Sequence, residues 1–246
     1  CKLCRVNEAD KTGSHIVPHF LLKRIENIEG KTARDYELGF VIQELNTDSH
    51  FGRSVSLDKL EEVYGELSED DIENNKHPLI VDNFFCSNCE TRFSKFEGEY
   101  AKTLNKFSES EYESGVSSAL GLMFWASILW RMSINNKSGV QLTKQQDEIL
   151  RRILDRSLTA DITQFNTDNY NKFKDLNKLS YKLLRCPNFS GDNATLLVLH
   201  PQFKKPYTLL IDEYVLLFSF HDNYNDYQNK NFFGLQGEVF EAPLNK

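Results

Sequence analysis

Two Cys-x-x-Cys pairs restrict the fold of this chain more than any other feature of its sequence. The first pair, in "CKLC", is Cys1 and Cys4, and the second, in "CSNC", is Cys86 and Cys89. Four thiolates at this local spacing suit the tetrahedral coordination of zinc. The 81 residues between the pairs are many more than the about 15–20 that usually separate two halves of one zinc site. The favoured interpretation is one structural Zn²⁺ bound by all four thiols, and the alternative is two unrelated reduced pairs.

Cysteine usage also bears on the cellular compartment. The fifth cysteine, Cys186 in "LLRCPNF", is expected to be a small buried residue. The sequence has no basic-then-apolar leader, and since it begins with a cysteine we expect the natural start to lie upstream. Without a secretory signal a reducing, cytoplasmic location is favoured, where paired cysteines bind metal more often than they form disulfides. A redox role is disfavoured because no βαβ pattern surrounds either pair.

Composition and charge limit the classes of partner. Of the 246 residues 40% are hydrophobic, which is enough apolar surface to disfavour disorder. The formal net charge is −7. Because DNA binding needs cations that face the phosphates, this charge argues mildly against nucleic acid but is compatible with a local basic surface. The apolar run at 119–130 is shorter than the roughly 20 residues that span a bilayer. It predicts a buried helix, with membrane insertion as a remote alternative.

Periodicity predicts a mixed α+β fold. A helix is expected to begin within the second cysteine pair, and its apolar residues recur at steps of three and four: Phe93, Phe96, Tyr100, Leu104 and Phe107. Thr143 and Gln146 match a capping box at the start of the amphipathic segment "LTKQQDEILRRILDRSL". The runs "ATLLVLH", "YTLLID" and "EYVLLFSF" are typical of strands in an antiparallel sheet.

The order of these elements predicts two domains. Residues 1–107 would form a zinc-binding unit, with an insertion at about 29–78 where the chain is polar and mixed. Residues 108–246 would form an α+β domain to which the sequence assigns no role. Aromatic residues of this second domain, such as Tyr224 and Phe232, would suit a protein partner, a homo-oligomer or substrate capture.

Four motifs in order resemble the HNH, or ββα-metal, endonucleases in their four-cysteine zinc-finger form. That family has a Cys-x-x-Cys knuckle, a strand ending in Asp-His-Ile-x-Pro, a second strand, and Cys-x-x-Cys-His at the start of a helix. The counterparts here are "CKLC", "SHIVP", "LIVDNFF" and "CSNCE", and the resemblance covers residues 1–28 and 79–100. It implies an N-terminal ββα-metal or treble-clef zinc unit that hydrolyses DNA with a divalent metal. The expected context is bacterial defence against phage or plasmid DNA.

The resemblance also implies roles for individual residues. His15 would be the general base, because imidazole titrates near neutral pH and can deprotonate the attacking water. Asn83 would orient that base. Glu90 replaces the family's helix histidine and would bind a catalytic Mg²⁺ or Mn²⁺. Glu97, two turns further along the same helix face, would be a second ligand of that metal.

One departure from the family pattern concerns Ser14, which stands where the family often has an acidic metal ligand. A hydroxyl is a much poorer ligand for a hard cation. Each proposed role therefore has a structural alternative. His15 would bond a backbone carbonyl near the cysteines, Glu90 would be favoured at the helix N-terminus by the helix dipole, and Glu97 would be solvated.

Basic residues beside the motifs are candidates for DNA contact. They are Lys23, Arg24, Arg92 and Lys95, and the alternative for each is a solvated surface. Arg131 is instead expected to neutralise an interior carboxylate or to cap a helix end.

Two functions from different classes are consistent with these observations. The joint motif pattern favours a metal-dependent endonuclease. Ser14 and the acidic net charge favour a non-catalytic, zinc-stabilised module that binds a protein or a ligand. Loss of DNA cleavage on replacing His15 would distinguish the first function from the second.

Overall fold

A computed structural model gives the fold of the protein. The structure describes residues 1–22, 38–42, 47–51, 57–70, 79–104, 112–113, 118–158, 179–185, 198–199, 205–211, 214–220 and 239–240. Within these residues α-helices combine with antiparallel sheets, which confirms the α+β class predicted from the sequence.

The elements range from two-residue strands to the 18-residue helix at Ser87–Leu104. The N-terminal half contains β1 (Ser14–His15), β2 (Leu38–Ile42), β3 (Thr47–Phe51), α1 (Leu57–Tyr64), β4 (Ile80–Val81), α2 (Ser87–Leu104) and β5 (Tyr112–Glu113). The C-terminal half contains α3 (Ser118–Ser133), α4 (Lys144–Ser157), β6 (Ser180–Arg185), β7 (Val198–Leu199), β8 (Tyr207–Ile211), β9 (Tyr214–Ser219) and β10 (Val239–Phe240). All the pairings are antiparallel: β1 with β4, β2 with β3, β5 with β10, and a four-stranded sheet in the order β6-β9-β8-β7.

Helix α2 begins inside the second cysteine pair, as its apolar spacing predicted. Its first backbone N–H, of Ser87, donates to Asp10 Oδ1 at 2.8 Å, so the cap comes from the N-terminal segment. Phe93, Phe96 and Tyr100 are at most 2% exposed. The predicted apolar face is therefore confirmed for these three residues.

Helix α3 is the centre of the core. Every residue from 120 to 132 is buried, which confirms the buried helix predicted from the apolar run. Tyr100 of α2 stacks on Phe124 with ring centroids 4.1 Å apart, and Trp125 Nε1 donates to the Tyr100 hydroxyl at 2.8 Å. In the described part of the chain, no helix combines the length and the apolar character that crossing a membrane requires.

Helix α4 begins at the predicted capping box. The backbone N–H of Gln146 donates to Thr143 Oγ1 at 3.2 Å, and the backbone N–H of Thr143 donates to Gln146 Oε1 at 3.0 Å. Leu150 and Leu154 are fully buried. Trp130 Nε1 of α3 donates to Asp147 at 2.8 Å, so α4 is held to α3 by a polar contact as well as by its apolar stripe.

One face of the four-stranded sheet is buried in the core. Buried and half-buried residues alternate along β8, as the two-residue period of a strand requires. Tyr214 of β9 lies 5.8 Å from Trp125 between ring centroids. The strands predicted at "YTLLID" and "EYVLLFSF" are confirmed as β8 and β9, whereas the sequence reasoning did not assign β6.

One contiguous core joins the N-terminal and C-terminal halves. Buried residues from Leu3 near the first cysteine pair to Phe218 of β9 belong to the same hydrophobic cluster. The predicted domain boundary between residues 107 and 108 lies outside the described residues and stays a prediction. About half of the predicted insertion also lies outside them, and the rest contains β2, β3 and α1.

Candidate functional site

Four thiols converge at one end of the core. The Sγ atoms of Cys1, Cys4, Cys86 and Cys89 all lie within 4.8 Å of one another, and those of Cys4 and Cys86 are 4.0 Å apart. A tetrahedral Zn²⁺ with bonds of about 2.3 Å to sulfur separates its ligands by about 3.8 Å. The cluster is slightly wider than that and needs only a small contraction. The four cysteines can therefore bind a metal ion such as zinc.

A tight turn of the backbone presents the first pair. Arg5 has a left-handed φ of 57° and donates its N–H to the Cys1 carbonyl at 3.0 Å. This turn directs the backbone N–H groups of Asn7 and Val6 toward the Cys4 sulfur. Burial opposes ionisation of Cys4, but hydrogen bonds to its sulfur from these two N–H groups and from the Cys89 and Cys86 thiols outweigh it and lower the pKa of Cys4 to about 7.

The first turn of α2 presents the second pair. Glu90 donates its N–H to the Cys86 carbonyl at 3.0 Å, so Cys86 and Cys89 are held on one helical turn. Burial, together with hydrogen bonds that the Cys89 thiol donates to the Cys86 and Cys4 sulfurs, raises the pKa of Cys89 to about 12. A bound metal ion would displace that proton, since cysteine ligates as the thiolate. Arg92 Nη1 lies 3.4 Å from the Cys89 sulfur and favours its negative charge.

The two sequence motifs meet beside this cluster. In the pairing of β1 with β4, Ser14 is opposite Val81 and His15 is opposite Ile80. Ser14 is 1% exposed, and its hydroxyl donates to Glu90 Oε2 at 3.1 Å. The residue before His15 is therefore in contact with the residue after the last cysteine. The finer assignment of β1, β4 and α2 to a ββα-metal or treble-clef unit stays a prediction.

His15 lies on a strand, as its motif predicted, whereas Asn83 lies in a bend after β4 and not on the strand expected at "LIVDNFF". His15 is half-buried, and its backbone carbonyl accepts a hydrogen bond from Arg131 Nη1 at 3.0 Å. Because successive side chains of a strand point to opposite faces, the contact through Ser14 does not by itself place the imidazole beside Glu90. Asn83 is exposed, with a left-handed φ of 58°, a conformation that asparagine tolerates. Its local conformation is thus that of a turn residue, and its role in orienting a base stays a prediction.

Glu97 has a protein partner in the structure. Its Oε1 lies 2.6 Å from Arg131 Nη2, and the two side chains are 18% and 3% exposed. Arg131 therefore neutralises an interior carboxylate, as expected from the sequence. This ion pair accounts for the burial of Glu97 without a metal ion, and a role for Glu97 as a metal ligand stays a prediction.

The basic residues proposed for DNA contact differ in their surroundings. Lys95 is exposed on α2. Arg92 is 13% exposed, lies 3.2 Å from Asp155 Oδ1 and donates to the Leu158 carbonyl at 3.3 Å. Its guanidinium therefore binds residues at the end of α4. These contacts explain the arginine at this position better than DNA contact does. Lys23 and Arg24 lie outside the described residues.

Several contacts around the site were not found by sequence reasoning. Arg151 of α4 donates to the Leu3 carbonyl at 2.7 Å across 148 positions of the chain. Arg5 lies 2.8 Å from Glu148, also on α4. No local pattern connects residues so far apart, because charged residues on the polar face of a helix are ordinary. Together these contacts attach the first cysteine pair to α4.

Comparisons of the sequence with protein-family models and with curated proteins, and of the structure with solved structures, returned no match. The resemblance to the HNH endonucleases therefore rests on the motifs and stays a prediction.

Proposed function

We propose that this chain is a metal-dependent, HNH-like endonuclease that hydrolyses phosphodiester bonds of DNA. The observation that supports this function best is the 3.1 Å hydrogen bond from Ser14 Oγ to Glu90 Oε2. It connects the motif that carries His15 with the motif that follows the last cysteine. Strand β1, which carries His15, is thereby in contact with the first turn of α2, which carries Glu90.

In this proposal the four thiols form a structural metal site and His15 is the general base. The His15 imidazole takes a proton from a water molecule whose oxygen attacks the phosphorus. A new P–O bond forms, the P–O bond to the leaving sugar oxygen breaks, and solvent protonates that oxygen. Glu90 would hold a Mg²⁺ or Mn²⁺ ion, which supplies charge stabilisation at the phosphate when bound. The Ser14 hydroxyl orients the Glu90 carboxylate.

DNA contact would involve the exposed residue Lys95, which is five positions after Glu90 on α2. A lysine at this distance from the site can neutralise a phosphate next to the scissile one. Arg92 is left out of the DNA surface because of its ion pair with Asp155. Lys23 and Arg24 remain candidates from the sequence.

A non-catalytic, zinc-stabilised binding module is the second candidate function. A specific observation favours it: both carboxylates proposed as metal ligands already have protein partners, Ser14 for Glu90 and Arg131 for Glu97. Carboxylates that already contact protein groups bind a divalent cation less readily, because the ion must compete with those contacts. This module would use the metal only to hold the two cysteine pairs together.

Cleavage of plasmid DNA with Mg²⁺ or Mn²⁺ tests the endonuclease proposal. We expect His15→Ala and Glu90→Gln to lower the cleavage rate by about 10²–10⁴-fold, the range for loss of a general base or of a metal-binding carboxylate. Glu99→Gln is the matched control, because Glu99 lies on the same helix and pairs only with the solvent-exposed ammonium of Lys102 among the contacts described. It should cleave at the wild-type rate.

Two outcomes would reject this function. One is wild-type protein that cleaves neither DNA nor RNA with either metal ion. The other is cleavage that is equal in wild type and in His15→Ala, which would identify a contaminating nuclease. Metal content measured for each variant controls for loss of the four-thiol site.

A further inference from the structure

We propose that Arg131 of α3 is a positioning residue that fixes the backbone of His15 against α2. The inference rests on the proposed function in so far as His15 is the general base. It concerns how the C-terminal half of the chain controls the geometry of the motif in the N-terminal half.

The guanidinium of Arg131 contacts three elements at once. Its Nη1 donates to the His15 carbonyl of β1 at 3.0 Å, and its Nη2 lies 2.6 Å from Glu97 of α2. Its Nε and Nη2 also donate to the backbone carbonyl and the hydroxyl of Ser127 within α3, at 3.3 and 3.4 Å. The side chain is 3% exposed. A planar group with donors in fixed directions is suited to such a junction, whereas lysine offers only a point charge.

The strand geometry explains why the His15 carbonyl needs this donor. Ile16 donates its N–H to the Leu79 carbonyl at 2.9 Å, and Ser14 lies opposite Val81. In an antiparallel pair the residues alternate between those that exchange hydrogen bonds with the partner strand and those that point away. The backbone N–H and C=O groups of Ser14 and Ile16 point toward β4. Those of His15, including its carbonyl, therefore point away from β4. Arg131 supplies a donor on that side.

The same guanidinium relates His15 to Glu90. Glu97 is seven residues after Glu90 on α2, a rise of about 10 Å on the same side of the helix. Between them, the ring of Phe93 lies 4.9 Å from the Arg131 guanidinium carbon. Rotation or sliding of α2 relative to β1 would break either the ion pair or the carbonyl hydrogen bond. Arg131 therefore opposes the movements that would change the separation of His15 and Glu90.

The test needs a variant that removes the Arg131 contacts without leaving a buried charge. It also needs a control in which another arginine that donates to a backbone carbonyl is replaced. The double variant Arg131→Met with Glu97→Met replaces both buried charged groups by apolar groups of similar volume, which buried pairs often tolerate. Arg131→Lys is the second variant, since it keeps the charge beside Glu97. Arg151→Met is the matched control, because Arg151 also donates to a backbone carbonyl of the N-terminal segment, that of Leu3 at 2.7 Å.

We expect kcat for plasmid cleavage to fall by about 10²-fold in both Arg131 variants, as for a small misplacement of a catalytic group. KM and the zinc content of the four-thiol site should stay at wild-type values, and Arg151→Met should stay within about threefold of wild-type kcat; a fall in kcat in Arg131→Lys, which keeps Glu97, separates loss of the junction from loss of the Glu97 carboxylate. Amide hydrogen exchange at Ile16 should quicken by about tenfold or more in the Arg131 variants only. If the variants only lost packing, amide hydrogen exchange would quicken throughout α3. A fall in kcat with KM unchanged would then not be expected.

The two proposals can fail separately. If wild-type protein cleaves no nucleic acid, the endonuclease proposal fails, and exchange at the Ile16 amide still decides whether Arg131 holds β1. If wild type is active and the Arg131 variants match Arg151→Met in kcat, the positioning role is rejected. Unchanged exchange at Ile16 in the double variant also rejects it.

Discussion

At the scale of single residues, three arginines converge on Glu148. The Nη2 atoms of Arg151 and Arg5 each lie 2.8 Å from its carboxylate, and Arg152 Nε lies 3.6 Å away. The hydrogen bond from Arg151 is the main cause that lowers the pKa of Glu148 from 4.5 to about 2, against the opposing effect of desolvation. Because the folded pKa is below the unfolded one, the stabilisation is complete above pH 4.5 and is lost as the pH falls through about 2.

Replacing Glu148 tests this linkage. We expect Glu148→Gln to lower the free energy of unfolding by about 1 kcal/mol at neutral pH, a figure reduced for solvent screening of a half-exposed group. The difference in free energy of unfolding between Glu148→Gln and wild type should become smaller as the pH falls from about 4.5 to about 2. Urea unfolding across this range measures it, with Glu62→Gln as the control because Glu62 is an exposed carboxylate of α1. A difference that does not change with pH would contradict the linkage.

At the scale of elements, α4 connects the core with the cysteine cluster. Its apolar stripe, which includes Leu150 and Leu154, packs into the core. Its polar face carries Glu148 and Arg151, which bind the N-terminal segment. Because both faces are used, the position at which α4 begins determines which residues meet the first cysteine pair. The capping box at Thr143 sets that position.

Removing the cap should destabilise α4 selectively. We expect Thr143→Ala to lower the free energy of unfolding by about 1 kcal/mol, since it leaves the N–H of Gln146 without its acceptor. Thr91→Ala is the control, because among the described residues the contact given for the Thr91 hydroxyl is donation to the Ser87 carbonyl within α2 at 2.9 Å. Its effect should be within about 0.5 kcal/mol. Denaturant titration of both variants gives the comparison, and equal losses would contradict a capping role.

At the scale of the whole molecule, the thiol cluster closes a loop of 81 residues between Cys4 and Cys86. A metal ion bound there would cross-link the chain, and ordering such a loop carries a cost in chain entropy. Lys2 extends the cross-link to the region after α3, because its Nζ donates to the Ile134 carbonyl at 2.9 Å. A bound ion would therefore also stabilise contacts made beyond the four cysteines.

Metal removal tests this coupling. We expect purified protein to contain one zinc ion per chain, and chelation to lower the thermal midpoint by about 10 °C or more. Cys89→Ser should lose the metal and show a similar midpoint without chelator. Cys186→Ser is the control, since Cys186 belongs to neither Cys-x-x-Cys pair and lies outside the described residues. A Cys89→Ser variant with wild-type zinc content would rule out a four-thiol site.

Local patterns in the sequence predicted the local structure. The reciprocal bonds of Thr143 and Gln146 and the buried face of Phe93, Phe96 and Tyr100 involve residues three or four positions apart. At that separation backbone geometry alone brings side chains together. The clustering of the four cysteines was also predicted, although the two pairs are distant in sequence. A zinc ion takes four ligands in a tetrahedron, and each Cys-x-x-Cys pair supplies two of them.

Only the tertiary structure decided how the motifs are supported. The cap of α2 by Asp10, the hydrogen bond from Ser14 to Glu90 and the donation from Arg131 to the His15 carbonyl join residues between 76 and 116 positions apart. Each is made by a common polar residue whose sequence neighbours give no sign of its partner. Such contacts depend on how buried faces stack, since a buried polar group takes whichever partner the packing brings within hydrogen-bonding distance.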